Sequence, residues 1–157
     1  MATTSLQESG FLVNPFNLMT TELNTLANAT SVTSSVGGTS GVFTQTNTGS
    51  GLWGIVHFKA GGAFTPTQGG YLAGWFLYSP DGSAFEKVAS NTDVPRAPDF
   101  IIPFIAAAHA TNDVVQCSGL VRLPWWSFKV YVMSRVGASL AASGNVLQLG
   151  SVAVQSQ

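Results

Sequence analysis

GGYLAGWFLYSPDGSAFE, residues 69–86, is the stretch of sequence that decides the fold of this chain. Two glycines lead into eight residues that are mostly aromatic or aliphatic on both alternating phases, the pattern of a β-strand covered on both faces. Pro80, Asp81 and Gly82 then predict a tight turn, because proline fixes φ, aspartate accepts local hydrogen bonds and glycine tolerates unusual backbone angles. We therefore predict a central strand over residues 71–78, with the other elements packed around it.

The chain contains unusually few charged residues. Asp, Glu, Lys and Arg make up 8% of its 157 residues, and its formal net charge is −1, whereas about 25% charged residues is usual. The length suits one domain with its own hydrophobic core. A surface with so little charge has weak electrostatic protection against association. We therefore expect partner proteins or further copies of the chain, as a dimer or trimer, to cover much of the surface.

The composition also argues against several classes of function. The six basic residues are scattered, so no basic stripe can follow a run of phosphates, and we expect no nucleic-acid partner. No window approaches the roughly 18 apolar residues of a membrane span, so we expect no membrane partner. The first residues lack the basic and apolar regions of a signal peptide, which favours synthesis in the cytoplasm. Cys117 is the only cysteine, so no internal disulfide can form.

Residues 14–28 have a different pattern from the rest of the chain. An asparagine and a proline stand where a helix would begin, and apolar residues recur at three- and four-residue spacing: Phe16, Met19, Leu23 and Leu26. We predict a short N-terminal helix or arm within residues 1–28, followed by a β-sandwich domain over residues 29–157. The arm either docks on a neighbouring molecule or caps the core of its own domain.

Short apolar segments separated by turns continue to the end of the chain. The predicted strands include residues 52–59, 100–105, 114–123, 128–135 and 146–154. Pro103 places its strand at a sheet edge or at a bulge, because proline cannot donate to a ladder. Residues 89–99 are polar and proline-containing, which indicates a surface loop. Since no helix is long enough for a parallel crossover, we predict an antiparallel β-sandwich of jelly-roll type.

The residues that could carry chemistry are isolated from one another in the sequence. His57 and His109 stand in no metal-ligand spacing, and no serine stands in a nucleophile elbow. Asp81 and Glu86 could approach across a hairpin as paired carboxylates do in glycosidases, but the turn explains Asp81 without catalysis. Cys117 lies on an inward phase and is interpreted as a small buried hydrophobe. We therefore predict no catalytic, cofactor-binding or metal-binding residues.

The adjacent pair Trp125 and Trp126 gives the best-defined hypothesis of a binding residue. Neighbouring residues of an extended chain point in opposite directions, so one indole should enter the core and the other should reach the surface. An exposed tryptophan could stack on a sugar ring or fill a pocket on a protein partner. The alternative is that both indoles close the open end of the sandwich.

Several segments together carry a family resemblance. They are residues 20–28, residues 64–71 with the following strand and Ser-x-Asp-Gly turn, residues 123–130, and residues 138–147. These segments resemble a family of small structural proteins encoded by tailed bacteriophages. At 124–126 this chain has Pro-Trp-Trp where the family usually has a Pro-Pro-Gly type of turn, which leaves the partner surface open.

The resemblance implies a jelly-roll protein of the virion, made in the cytoplasm of the host bacterium. It implies a cement or decoration protein that binds the outside of the capsid, with the major capsid protein and other copies of itself as partners. The alternative is a carbohydrate- or receptor-binding module of a tail fibre or spike, with a tryptophan as its stacking platform. The candidate partner contacts are Phe16, Leu23, Pro95, Arg96, Trp125 and Trp126.

Overall fold

The computed structural model describes residues 7–8, 16–35, 41–43, 53–124, 126–152 and 154–155. These residues are nearly all in strands, turns and loops, with one 3₁₀ helix at Thr21–Leu23. The strands are β1 Gln7–Glu8, β2 Phe16–Met19, β3 Ser31–Thr33, β4 Trp53–Lys59, β5 Tyr71–Ser79, β6 Phe100–Pro103, β7 Val114–Gln116, β8 Val121–Arg122, β9 Ser127–Arg135, β10 Val146–Val152 and β11 Val154–Gln155. Within these ranges, no helix has the length and apolar character needed to cross a membrane.

Two antiparallel sheets pack face to face, which confirms the predicted β-sandwich. The first sheet has the strand order β2-β10-β4-β7, and β8 also pairs with β4. The second has the order β3-β9-β5-β6, and the short strands β1 and β11 pair with each other. The predicted central strand is β5, which lies between β9 and β6 and pairs with β9 along its whole length, from Tyr71 to Ser79.

The main core lies between the two sheets and is built from one alternating phase of each strand. Leu72 and Phe76 of β5 face Val56 and Phe58 of β4 across it, and all four are fully buried. Burying each such side chain contributes roughly 1.5–3 kcal/mol. The ring of Phe58 meets Phe64 and Phe104 edge-on at centroid distances of 6.0 and 5.6 Å, the arrangement that aromatic pairs prefer.

A second apolar layer covers the other face of β5. Trp75 and Leu77 point away from the main core and pack with Tyr131 and Met133 of β9 under Val94. The indole nitrogen of Trp75 donates to the carbonyl of Arg96 (3.1 Å), and the Tyr131 hydroxyl donates to the carbonyl of Thr92 (2.7 Å). The prediction that β5 is covered on both faces is therefore confirmed. The loop over residues 89–99 provides this cover. Its Val94 side chain packs on the second apolar layer, and its carbonyl groups accept the hydrogen bonds from Trp75 and Tyr131.

The N-terminal segment differs from its predicted structure. Where a helix was expected, the described part holds strand β2, paired antiparallel to β10, and the three-residue 3₁₀ helix. Thr25 and Ala29 have positive φ values of 58° and 59°, which an α-helix does not allow. A threonine-rich segment is a weak helix former, and β10 offers it an antiparallel partner strand. The same segment supplies fully buried core residues, Leu18, Met19 and Leu23, so residues 16–28 cap their own core.

The predicted strand over residues 114–123 is interrupted. It divides into β7 and β8, because the chain turns outward after Cys117, whose thiol donates to the carbonyl of Gly119 (2.9 Å). Cys117 is half-buried and packs against the main core. The neighbouring Ser118 N–H donates to the carbonyl of Ile101 in β6 (3.0 Å) and links the two sheets. β6 is the edge strand of its sheet, as Pro103 predicted.

Candidate binding cleft

A cleft of about 550 Å³ opens where β5 ends and β8 leads into β9. We call it the Trp126 cleft. Its lining residues come from two parts of the chain: Tyr78, Pro98 and Asp99, which we call the first wall, and Arg122, Leu123, Pro124 and Trp126, which we call the second wall. The volume is in the range of small-molecule sites, and the mixture of aromatic, apolar and a few charged side chains is typical of them.

The turn after β5 fixes the first wall. Asp81 Oδ1 accepts hydrogen bonds from the Ser79 hydroxyl and from the backbone N–H groups of Ser83 and Ala84, each at 2.9 Å. The backbone N–H of Ala84, followed by that of Ser83, holds the pKa of Asp81 far below its usual range. Gly82 completes the turn with a φ of 74°. Pro80, Asp81 and Gly82 thus hold the chain at the end of the strand that carries Tyr78.

Asp99 is the best-connected charged group of the cleft. Its Oδ2 accepts from the backbone N–H of Phe76 (2.7 Å) and from Arg96 Nη1 (2.8 Å). The Tyr78 hydroxyl donates to Oδ1 over a longer 3.4 Å. Burial, and then the negative charge of Asp99, raise the pKa of Tyr78. Tyr78 is therefore a neutral phenol at physiological pH.

Arg96 contacts the residues of this wall, and its guanidinium forms its hydrogen bonds within the chain. Its Nη2 donates to the carbonyl of Phe76 (2.8 Å) and to Glu86 (3.3 Å), and its guanidinium lies 5.2 Å from the ring centre of Tyr78. Burial works against its charge, but hydrogen bonds to Asp99 and Glu86 raise the pKa of Arg96 overall. The sequence offered Arg96 as a candidate partner contact, and in the structure its guanidinium is bound by Asp99, Glu86 and the carbonyl of Phe76. Its neighbour Pro95 is exposed.

The second wall contains two exposed side chains, Arg122 and Trp126. Trp126 is 58% exposed, so the prediction that a tryptophan of this pair reaches the surface holds for Trp126. Trp125 lies outside the described residues. Arg122 is exposed and lies directly opposite Trp53 in the β4–β8 pair. Among the residues that the structure describes, no acidic side chain forms an ion pair with Arg122.

The remaining predicted residues lie elsewhere. Phe16 begins β2, and Leu23 is completely buried in the main core, so its side chain is not available to a partner. His57 is buried, and its Nε2 donates to Gln148 Oε1 (2.9 Å). His109 is also buried, stacked on Phe64 at 5.1 Å. The ranges described contain no group of three or more His, Cys, Asp or Glu side chains that could hold a metal ion.

A second surface feature lies on the outer face of β5 and β6. Tyr71 is paired with Pro103 across these strands, and Ile101 shares their face because it lies two residues before Pro103. Tyr71 and Ile101 are each 36% exposed, and Ile105, just after β6, is 71% exposed. We call Tyr71, Ile101, Pro103 and Ile105 the β6 patch. The backbone edge beside it is blunted, since Pro103 has no N–H and the Ile101 carbonyl is occupied by Ser118.

Sequence reasoning identified Trp126 but missed its neighbours Tyr78, Asp99 and Arg122. These residues are far apart in the chain, and only the sheet pairing brings them together. The weak signals were that Arg122 falls on the polar phase of an alternating segment and that Asp99 directly precedes a strand.

Comparison with known proteins gave no match to any protein-family model, curated protein or solved structure. The function is therefore argued from the geometry of this chain.

Proposed function

We propose that the protein is a non-enzymatic cement protein of a tailed-bacteriophage capsid, which binds the outside of the major capsid shell and bridges its subunits. The observation that carries the proposal is the β6 patch, a group of exposed apolar side chains on a protein with only 8% charged residues. Exposed apolar groups of this kind mark contact sites between proteins. The blunted edge of β6 favours a partner that packs flat on the patch over one that adds a strand.

We also propose that the sandwich is a jelly roll, which is the fold that the family resemblance implies. Support comes from the order in which the strands pair along the chain. The innermost pair is β5 with β6, and each further pair encloses the one before it: β4 with β7, β3 with β9 and β2 with β10. These are nested pairs of one long folded ribbon. When such a ribbon is rolled up, β10 comes beside β4 and β9 beside β5, as in this chain. Viral capsid and lectin domains are among the known users of jelly rolls.

A cement protein acts through interface area and needs no reacting group. A specific interface buries about 1,200–2,000 Å² in total, which is more than the four side chains of the β6 patch expose. In this proposal the patch is the centre of the contact, and neighbouring capsid subunits or further copies of the chain cover its surroundings. Each bridged joint then adds to the stability of the shell, at roughly 25 cal/mol per Å² of apolar surface removed from water.

The patch is tested with Ile101→Asp, matched by Val114→Asp on the other sheet. Both positions are exposed in strands, at 36% and 55%, so both variants should fold, which a thermal melt verifies. Particles that lack the protein are mixed with each variant, and the bound copies are counted by quantitative mass spectrometry. We expect Ile101→Asp to weaken attachment by at least about tenfold, because it places a charge in an apolar contact, while Val114→Asp binds as the wild type does. Equal occupancy of the two variants would contradict the proposal.

A second candidate function is favoured by the Trp126 cleft. In this proposal the protein is a carbohydrate- or receptor-binding module of a tail fibre or spike, with the Trp126 indole as its stacking platform. A glycan array tests it with the wild type, Trp126→Ala and Trp125→Ala. Saturable binding that is lost in Trp126→Ala would support this function, and an array without any binding would exclude it.

A further inference from the structure

We infer that the Trp126 cleft selects acidic sugars, with a pyranose ring on Trp126 and its carboxylate on Arg122. The inference deepens the second candidate function and rests on it. It identifies the class of ligand that the charges and the aromatic surface of the cleft would recognise.

The two charged side chains of the cleft are in different states. The Asp99 carboxylate already accepts hydrogen bonds from Phe76 N–H, Arg96 and the Tyr78 hydroxyl, and Arg96 is shared between Asp99 and Glu86. Arg122 is exposed, and in the described part of the chain no carboxylate pairs with it. The charged group of the cleft that has no ion-pair partner among the described residues is therefore the Arg122 guanidinium. A guanidinium binds a carboxylate through two parallel hydrogen bonds, which adds geometric specificity as well as strength.

The exposed apolar group of the second wall is the Trp126 indole, because Leu123 and Pro124 are buried. Trp126 is 58% exposed, and Leu123 and Pro124 lie between it and Arg122 in the chain. A pyranose presents an apolar C–H face that can pack on an indole, and its ring hydroxyls can remain in water at an open cleft. The first wall adds the Tyr78 hydroxyl and the Asp99 carboxylate, whose oxygens can accept hydrogen bonds from hydroxyl groups.

An acidic sugar fits this arrangement better than the other anionic ligands do. A nucleic acid would need several cations along its backbone, whereas the cleft wall carries one available guanidinium. An acidic peptide is commonly held by main-chain pairing at an open sheet edge or by an arginine cluster. The cleft instead pairs one guanidinium with one aromatic face, which matches one carboxylate on one ring.

The test is a titration by ligand-observed NMR of uronic and sialic acid oligosaccharides, each compared with its own methyl ester. The ester keeps every ring contact and removes only the charge. We expect the acids to bind at least about tenfold more tightly than the esters, since the ester cannot form the charge-assisted hydrogen bonds that a carboxylate forms with a guanidinium. Arg122→Gln should remove this preference, and Trp126→Ala should remove binding of both forms. Lys87→Gln, an exposed cation outside the cleft, is the matched control and should bind as the wild type does.

The other outcomes separate this inference from the function on which it rests. Equal binding of acids and esters, lost in Trp126→Ala, would overturn the selectivity and leave the glycan-binding function standing. Binding of no sugar at all would overturn both. Binding of a hexaglutamate peptide through Arg122 and Trp126, without binding of the sugars, would also overturn the inference.

Discussion

The side chain of Asp81 stabilises the turn after β5 through its hydrogen bonds. It accepts three hydrogen bonds, and its pKa in the folded protein is lowered by the N–H of Ala84, then by that of Ser83. A lowered folded-state pKa means that its stabilisation is fully present above the ordinary aspartate value of about 3.9 and is lost as the pH falls below it.

Asp81→Ala should therefore lower the melting temperature at neutral pH, and its deficit relative to the wild type should shrink as the pH falls from about 4 towards 2. Thermal denaturation across that range measures the difference. Asp81→Asn, which keeps an acceptor oxygen without the charge, should show a smaller deficit at neutral pH. A deficit that stays constant through the range would show that the ionised carboxylate contributes no stability.

At Gly74 the absence of a side chain leaves the space that the ring of Phe100 occupies. A Cβ built at Gly74 would lie 1.9 Å from Cζ of Phe100, whose ring packs directly on this residue from the paired strand. Gly74→Ala must displace the ring from the core, and we expect a loss of about 1–3 kcal/mol in the free energy of unfolding. Urea denaturation measures the loss. Gly119→Ala is the control, because nothing lies within 4 Å of its Cβ position, and a loss of similar size there would contradict this explanation.

At the scale of elements, the N-terminal segment has the clearest consequence. A detachable arm could be removed without unfolding the domain, but β2 is paired with β10 and Leu18, Met19 and Leu23 are buried in the core. We therefore expect a chain that lacks residues 1–28 to be unfolded, as judged by circular dichroism and amide exchange. Removal of residues 1–6 alone is the control and leaves every described element in place. A folded domain after the longer deletion would contradict the structure.

The elements that the sequence predicted well are long apolar or alternating segments bounded by turns. β9 shows a two-residue period, β4 and β5 are long runs that are apolar on both phases, and Pro103 marked an edge strand correctly. The N-terminal segment misled because apolar residues three and four apart fit a helix as well as a strand followed by a 3₁₀ turn. The sequence predicted that β5 is covered on both faces but not that the loop over residues 89–99 supplies the cover, since Val94 is a single apolar residue in a polar loop.

The candidate cleft could be predicted only through its most conspicuous residue. Trp126 is recognisable as one of a tryptophan pair, but its neighbours come from β5, from the segment before β6 and from β8. Those contacts are set by strand register, which a single sequence does not specify. The same holds for Arg96, which looks like a free loop cation and is in fact bound to Asp99 and Glu86.

At the scale of the whole molecule, β5 connects the two surface features. Tyr71 at its start belongs to the β6 patch, and Tyr78 near its end lines the Trp126 cleft. Seven residue steps at about 3.3 Å each separate them by roughly 23 Å. In the proposed arrangement the sandwich is a rigid spacer, with one end seated on the shell and the cleft held away from it.

The copy number of the protein per purified virion, measured by quantitative mass spectrometry against the major shell protein, tests the cement function most directly. We predict a ratio near one to one, or a simple fraction of it, because a cement protein repeats with the symmetry of the shell that it covers. Only a few copies per particle would place the protein in the tail and contradict the cement function. Absence from the particle would contradict every virion role proposed for this chain.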